Sequence, residues 1–427
     1  MRSVRVKLRD IAAPKRWALN GGPFGSKLVQ RDYVETGIPV IRGCNLPVER
    51  KFSSDEFVFV SPEKADELLP NNAHSGDLVF TQRGTLGQVG IIPDGLPYSR
   101  YVISQSQMKL TVDSNKADAN YVYYVFRVPE TVKQIHNRAF SSGVPHINLE
   151  ILRDFEIDLP PLSNQGRIAS ILSAYDDLIQ NNARRTKILE KVAQMIYREW
   201  FVNFRFPGHG KVGKVESEMG TVPKGWPVQK VTEAIEVDPT TKVPKVGMKP
   251  FVSMGALSHT SMLITNIEQR EGNSGSKFRN GDTLFARITP CLENGKTGFV
   301  QFLPDCEAVG FGSTEFMVLR SRTVNPAYVY LMARSGEFRN NAIRSMSGAT
   351  GRQRVQGQSF DRFLIACPPL ELLQAFRDAV TPMFRLIYAL SLKNRNLRTT
   401  RDLLLPKLIS GEVSVERFES EAVAQSV

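Results

Sequence analysis

Residues 373–408 read LQAFRDAVTPMFRLIYALSLKNRNLRTTRDLLLPKL. In this stretch Leu373, Phe376, Val380, Met383, Ile387, Leu390, Asn394, Leu397, Arg401, Leu404 and Leu408 follow one another at alternating steps of three and four. A mean step of about 3.5 residues lays one seam along a helix and favours left-handed supercoiling with a partner. The chain supplies a partner. Shifting the pattern back by 208 residues gives Gln165, Ile168, Leu172, Tyr175, Ile179, Asn182, Thr186, Leu189, Ala193, Ile196 and Trp200, in the same rhythm. A helix of about 35 residues is roughly 50 Å long. Asn182, Thr186, Asn394 and Arg401 place polar groups in the seams, where they cost stability and can fix register and orientation. Pro382 is expected to kink the second helix or to mark its true start, and Pro406 to end or bend it. Two amphipathic helices, each packed on its own globular domain, remain the alternative.

The same offset relates the rest of the chain to itself. Gly76-Asp77-Leu78-Val79-Phe80 recurs as Gly281-Asp282-Thr283-Leu284-Phe285, and Tyr121-Val122-Tyr123 as Tyr328-Val329-Tyr330. Ser142-Gly143 recurs as Ser347-Gly348, and Pro160-Pro161-Leu162 as Pro368-Pro369-Leu370. The chain is two copies of a unit of about 200 residues, a period far too long for a solenoid repeat. Each copy begins with short strands broken by Gly, Pro and Asn, for example LVFTQRG, QVGIIP and MKLTV between Leu78 and Val112. A helical stretch follows (118–135 in the first copy), then a Pro-Pro pair, then the long helix.

Composition narrows the function. Across 427 residues, hydrophobic residues make up 41% and charged residues 23%, the balance of a soluble globular chain with room for several cores. Lys and Arg number 55 against 43 Asp and Glu, so the net charge of +12 favours a polyanionic partner such as nucleic acid. No apolar run approaches the roughly 18–20 residues of a membrane span, and the first residues lack the apolar core of a signal peptide. Cys44, Cys291, Cys306 and Cys367 form no C-x-x-C pair, which fits a reducing cytoplasm and argues against a zinc ribbon or a disulfide scaffold. The five histidines include no H-E-x-x-H, so no metal site is expected.

At this point a family resemblance is plain. The segment LPPLSNQGRIASILSAYDDLIQNNARRTKILEKVAQMIYREWFVNF (159–204) resembles the central conserved region of the specificity (S) subunits of Type I restriction–modification systems. SEMGTVPKGWPVQKV (217–231) is similar to the entry into that family's second recognition domain. GDLVFTQRGTLGQVGIIP (76–93) and GDTLFARITPCLENGKTGFV (281–300) resemble a recurrent recognition-domain segment, and LLLPKLISGEV (403–413) the usual end of the second helix. The resemblance implies an α+β chain with two α/β target recognition domains in pseudo-two-fold tandem repeat, separated by two long antiparallel coiled-coil helices. It implies target recognition domain 1 at 1–158, a central conserved helix at 159–206, target recognition domain 2 at 207–366, a C-terminal conserved helix at 367–412 and a tail at 413–427.

In function, the resemblance implies a non-catalytic cytoplasmic subunit that reads a bipartite, asymmetric double-stranded DNA target. Two modification (methyltransferase) subunits and restriction (translocase–nuclease) subunits would be its partners. S-adenosylmethionine, ATP and Mg would sit on those partners, with no cofactor on this chain.

Reading bases takes bidentate donors: Arg or Lys on guanine, Asn or Gln on adenine. In the first unit, Gln82 and Arg83 lie in a glycine-flanked loop after a strand and are the candidate base contacts; Arg42, Arg100 and Lys109 are candidate phosphate contacts. In the second unit Arg287 aligns roughly with Gln82 and Arg83, with Asn294 and Lys296 as companions. A second pair of polar, glycine-containing segments is 141–148 and 347–354. Arg352, Gln353 and Arg354 there could reach bases or phosphates, or belong to an ordinary connecting loop. His146 is expected to be structural. Trp200, Phe201, Phe204 and Phe206 should pack on the next domain or form a methyltransferase docking surface.

Two rival readings remain. Asn325-Pro326-Ala327-Tyr328 is close to the N-P-P-Y tetrapeptide of adenine methyltransferases, but its third residue is Ala and no glycine-rich cofactor loop precedes it. An Asn-Pro helix start accounts for it more simply. A coiled-coil scaffold that binds only protein would explain the helices and leave the basic charge and duplicated loops without a role.

Overall fold

The computed structural model describes residues 3–140, 143–348 and 353–415. The chain divides into two compact units: one joins the residues up to Asn181 with those from Asn394 onward, and the other holds Asn182–Lys393. Both boundaries fall inside long helices, at Leu162–Tyr197 (the central helix) and Leu370–Ile409 (the C-terminal helix).

In the first unit a four-stranded antiparallel sheet runs in the order Leu19–Gly21, Gln107–Leu110, Leu78–Thr81, Val89–Ile91. A second, five-stranded sheet contains one parallel pair, Ile38–Ile41 beside Tyr101–Ile103. Helices Ala119–Val125 and Pro129–Asn137 follow, so the expected helical stretch is split where Pro129 starts a new helix. Strand Glu156–Leu159 alternates exposed and buried residues and pairs with Val4–Lys7 before the central helix begins.

The second unit repeats this plan. Its four-stranded sheet has the same order, Ile235–Val237, Phe316–Ser321, Thr283–Ala286, Thr297–Phe299. A parallel pair recurs in its other sheet, Lys249–Val252 beside Val309–Gly312. Helices Pro326–Arg334 and Gly336–Arg344 and the strand pair Val228–Lys230 with Leu364–Ala366 complete the copy. The internal repeat is therefore a repeat of topology as well as of motif.

Every residue of the two seams is buried or half-buried. In the first unit Ile168 and Leu172 of the central helix share a core with Leu405 and Leu408 of the C-terminal helix and with Tyr121, Tyr124 and Phe155 of the strand-rich domain. The helices run antiparallel here: Asn394 Nδ2 donates to the Ile179 carbonyl (3.1 Å), while one turn back on the central helix Asp176 meets Arg401 further along the other. In the second unit Ala193 and Tyr197 share a core with Phe376, Val380 and Ile387.

The C-terminal helix runs from Leu370 to Ile409, so Pro382 does not mark its start, and it continues three residues past Pro406. A proline inside a helix costs about 3 kcal/mol through its missing N–H and its ring. Burial of Val380, Phe384 and Ile387 around Pro382, and of Leu405 and Leu408 around Pro406, offsets it, since each fully buried side chain contributes about 1.5–3 kcal/mol. The Pro-Pro pairs do set the helix starts. Gln165 is buried beside the first pair, donating to the Pro160 carbonyl (2.8 Å) and accepting from Asp118 N (3.0 Å).

Candidate nucleic-acid interface

In the first unit the strand Leu78–Thr81 ends in a loop that returns as Val89–Ile91, closed by Thr81 N donating to the Gln88 carbonyl (3.0 Å). Leu86 is buried beneath the loop and anchors it. Gly87 takes a positive φ of 83°, and a Cβ there would lie 2.7 Å from Val132, so the loop packs tightly on the helix Pro129–Asn137. At its root Gln82 is tied on both sides: its N–H donates to Ser106 O (2.7 Å), and its carbonyl accepts from Ile147 N (3.0 Å). Arg83 then bridges His146, which bridges Phe140 in turn.

The second unit repeats this junction. Ala286 N donates to Lys296 O (3.1 Å) to close the loop, and Leu292 is its buried anchor. Arg287 N donates to Glu315 O (3.0 Å), and Arg287 O accepts from Val355 N (2.9 Å). Ile288 bridges Arg354, which bridges Ser347. Thus the two loop segments singled out separately in each copy of the sequence lie edge to edge, beside a turn the sequence did not flag: Ser104–Gln107 in one unit, Ser313–Glu315 in the other.

The individual candidates fare differently. Arg83 is exposed and Gln82 half-buried. Arg42 is half-buried; its Nη2 donates to Glu56 O (2.7 Å). Arg100 pairs with Asp66 at 2.5 Å. Lys109 is buried at 5% exposure and donates to the Asn72 carbonyl, and burial lowers its pKa. Its ammonium is thus held inside the fold and not presented at the surface, as all four residues of its strand, Gln107–Leu110, are buried. Arg287 is half-buried with Nη2 on the Val355 carbonyl (2.8 Å), and Lys296 donates to Met254 O (3.1 Å). Asn294 is exposed and Gln353 half-buried. Arg354 is exposed and grips Glu315 with a two-point ion pair (2.6 and 2.9 Å), which holds that carboxyl below its ordinary pKa. Arg352, like Ser141, Ser142 and the tail from 416, lies outside the described residues.

The missed turn carries Ser104, Gln105, Ser106 and Gln107. Gln105 Nε2 donates to both Gly25 O (2.6 Å) and Leu28 O (2.8 Å). The run has neither glycine nor basic charge, and only its polarity between two apolar strands marks it out. The whole junction offers amide, hydroxyl and guanidinium groups, the chemistry of recognition by hydrogen bonding.

The tetrapeptide at Asn325 is a helix start. Its side-chain oxygen accepts from Tyr328 N (2.9 Å) and its amide donates to Leu373 O (3.2 Å), so both ends are engaged. The aromatic cluster is core: Phe201 and Phe206 are buried against Trp226, with ring centroids 6.1 and 5.1 Å away. Among the described residues no group of three or more His, Cys, Asp or Glu could hold a metal ion, and no helix is long and apolar enough to cross a membrane.

The chain has counterparts among known proteins. Residues 60–191 match the family described as Type I restriction modification DNA specificity domain. The chain is 24% identical over 356 residues to the Type I restriction enzyme MjaIX specificity subunit of Methanocaldococcus jannaschii, covering 80% of this chain and 79% of that one. It is 22% identical over 404 residues to the HindI specificity subunit of Haemophilus influenzae, covering 79% and 86%. The fold is similar to that of the Type I restriction–modification S subunit from M. genitalium, with a TM-score of 0.56 at 16% identity over 96% of each chain. The class is thus that of DNA specificity domains. Within it, the chain is similar over most of its length to the specificity subunits of Type I restriction–modification systems.

Proposed function

We propose that each unit reads one half of a split, asymmetric DNA target, and that the chain directs adenine methylation and restriction at that target without catalysing either. The observation that carries this is the duplicated junction: Gln82 in one unit and Arg287 in the other root equivalent loops, locked on both sides by the same backbone hydrogen bonds. The two roots carry different side chains, one an amide suited to adenine and one a guanidinium suited to guanine. Different residues on the same scaffold are what an asymmetric bipartite site requires. In this reading the long helices set the spacing of the half-sites, which for one helical turn is roughly 34–36 Å. The methyltransferase subunits would bring S-adenosylmethionine and the restriction subunits ATP and Mg, all acting in the cytoplasm.

The test is a modified-base map of the host genome with the gene present and deleted. Loss of N6-methyladenine at one split, asymmetric motif is the expected result. Replacing residues 1–158 with those of another family member should then change one half of the motif only. An unchanged map together with no salt-sensitive DNA binding by the assembled complex would favour the protein scaffold instead.

A further inference from the structure

In the first unit, the strand Leu19–Gly21 is followed by Gly22-Pro23-Phe24-Gly25-Ser26-Lys27. Phe24 is 90% exposed. A single exposed apolar residue needs no explanation in general, but this one is held in place. A Cβ on Gly22 would lie 2.1 Å from Ser104 O, so only glycine allows so close an approach to the Ser104–Gln107 turn. Gly25 takes a positive φ of 63°, and the Gln105 amide clamps the loop through Gly25 O and Leu28 O. The same turn holds Gln82 through Ser106 O. Phe24 is therefore presented outward by a braced loop that shares its support with the base-reading junction.

A comparable exposed apolar residue occurs in the second unit. The connection after the edge strand Ile235–Val237 of its four-stranded sheet carries Pro244-Lys245-Val246-Gly247, with Val246 84% exposed and Gly247 at a φ of 90°. Both connections thus carry an exposed apolar residue directly before a left-handed glycine.

Building on the DNA-reading function above, we propose that Phe24 is a DNA contact that stacks on the bases of the first half-site. A rigid aromatic ring with two torsions loses little freedom on binding, and apolar side chains that wedge against base steps are a known means of holding and distorting a duplex. Lys27 on the same loop and Arg83 on the neighbouring one supply the cationic surroundings. The differing tips, Phe24 and Val246, make the wedge a property of the first half-site more than of the second.

The experiment uses the full chain assembled with its methyltransferase subunits and duplexes carrying the motif found by the genome map. Affinity is measured for the wild type, Phe24→Ala and Phe24→Trp, with 2-aminopurine placed in turn along the first half-site outside the methylated adenine. Phe24→Ala should weaken binding about tenfold or more and abolish a 2-aminopurine fluorescence change that Phe24→Trp retains. The dependence on salt should be unaltered, since an apolar contact releases no counterions. Affinity within threefold of wild type and an unchanged 2-aminopurine signal would overturn the proposal, as would equal weakening on a duplex whose first half-site is scrambled. Loss of subunit assembly without DNA would make Phe24 a protein contact and overturn it too. If the wild-type complex itself selects no split motif, the failure belongs to the proposed function rather than to Phe24.

Discussion

The guanidinium of Arg401 meets the carboxylate of Asp176 at 2.5 Å, with only 8% and 10% of the two side chains exposed. Tyr124 donates its hydroxyl to the same carboxylate at 2.6 Å, and Arg401 also reaches Asp402 at 2.8 Å. This places a satisfied ionic cluster in the seam of the first unit, where it joins both long helices to the strand-rich domain. Lys51 donates to Ser173 Oγ (2.8 Å), about one helical turn before Asp176, and to Asn120 Oδ1 (3.0 Å), and reinforces the join.

Removing one partner leaves the other charge buried and alone, which costs about 3–5 kcal/mol. Arg401→Ala should destabilise the first unit by that order in urea unfolding followed by a probe in that unit. Arg401→Met with Asp176→Leu should recover much of the loss, since apolar replacement of a buried pair is often neutral. A single substitution costing under about 1 kcal/mol would show that the pair behaves as an exposed one.

Glu190 gives a pH signature. It is buried in the second unit, where Ser261 Oγ and Met262 N both donate to it at 2.7 Å. Burial pushes its pKa above the ordinary 4.5, and the two donors only partly oppose that. The folded state therefore binds its proton more tightly than the unfolded state. Its contribution to stability is present in full below 4.5 and fades as pH rises through the raised folded value. Glu190→Gln, which can still accept both bonds, should flatten the pH dependence of stability in that window. An identical profile in the variant would refute the assignment.

Substitutions at the junctions should separate the half-sites. Gln82→Ala should relax methylation specificity at one position of the first half-site, by about 1–3 kcal/mol of discrimination, and leave the second half unchanged. Arg287→Ala or Arg354→Ala should do the reverse. If Arg83 meets a phosphate instead of a base, Arg83→Ala will lower affinity uniformly and reduce the salt dependence by about one contact. Genome-wide methylation patterns and salt titrations distinguish these outcomes.

Asn325→Ala tests the rival enzyme reading. Losing a helix cap costs about 1 kcal/mol, so the variant should melt slightly earlier and methylate the same motif when assembled. Complete loss of methyl transfer by a stably folded, assembled complex would reopen the catalytic interpretation.

The helices were the most legible part of this sequence, because a 3,4 rhythm over eleven positions leaves one face to bury. Neither Pro382 nor Pro406 interrupts the helix, for a reason of scale: a local penalty of about 3 kcal/mol is small beside packing along a 40-residue helix. The junction was legible in pieces. Glycines flagged the loops at Gln82 and Arg287, but the hydrogen bonds that unite them with 143–148 and 353–355 are long-range. Lys109 was misjudged because a charged residue in a short strand gives no sign that both faces of its sheet are covered. The exposure of Phe24 was invisible for the converse reason, since an aromatic residue in sequence reads as core.

The division of both long helices between the two units has a consequence for synthesis. The first unit needs Asn394–Val415 to close its core over Ile168 and Leu172, and residues 182–393 intervene. At roughly 5–20 residues per second, that stretch takes about 10–40 s to translate. Through that interval the nascent domain carries an uncovered apolar stripe, while the second unit is contiguous in sequence and can close as it emerges. The later-made half of the protein should therefore be the first to mature, and the chain should depend on chaperone protection of its earlier half until the last helix leaves the ribosome.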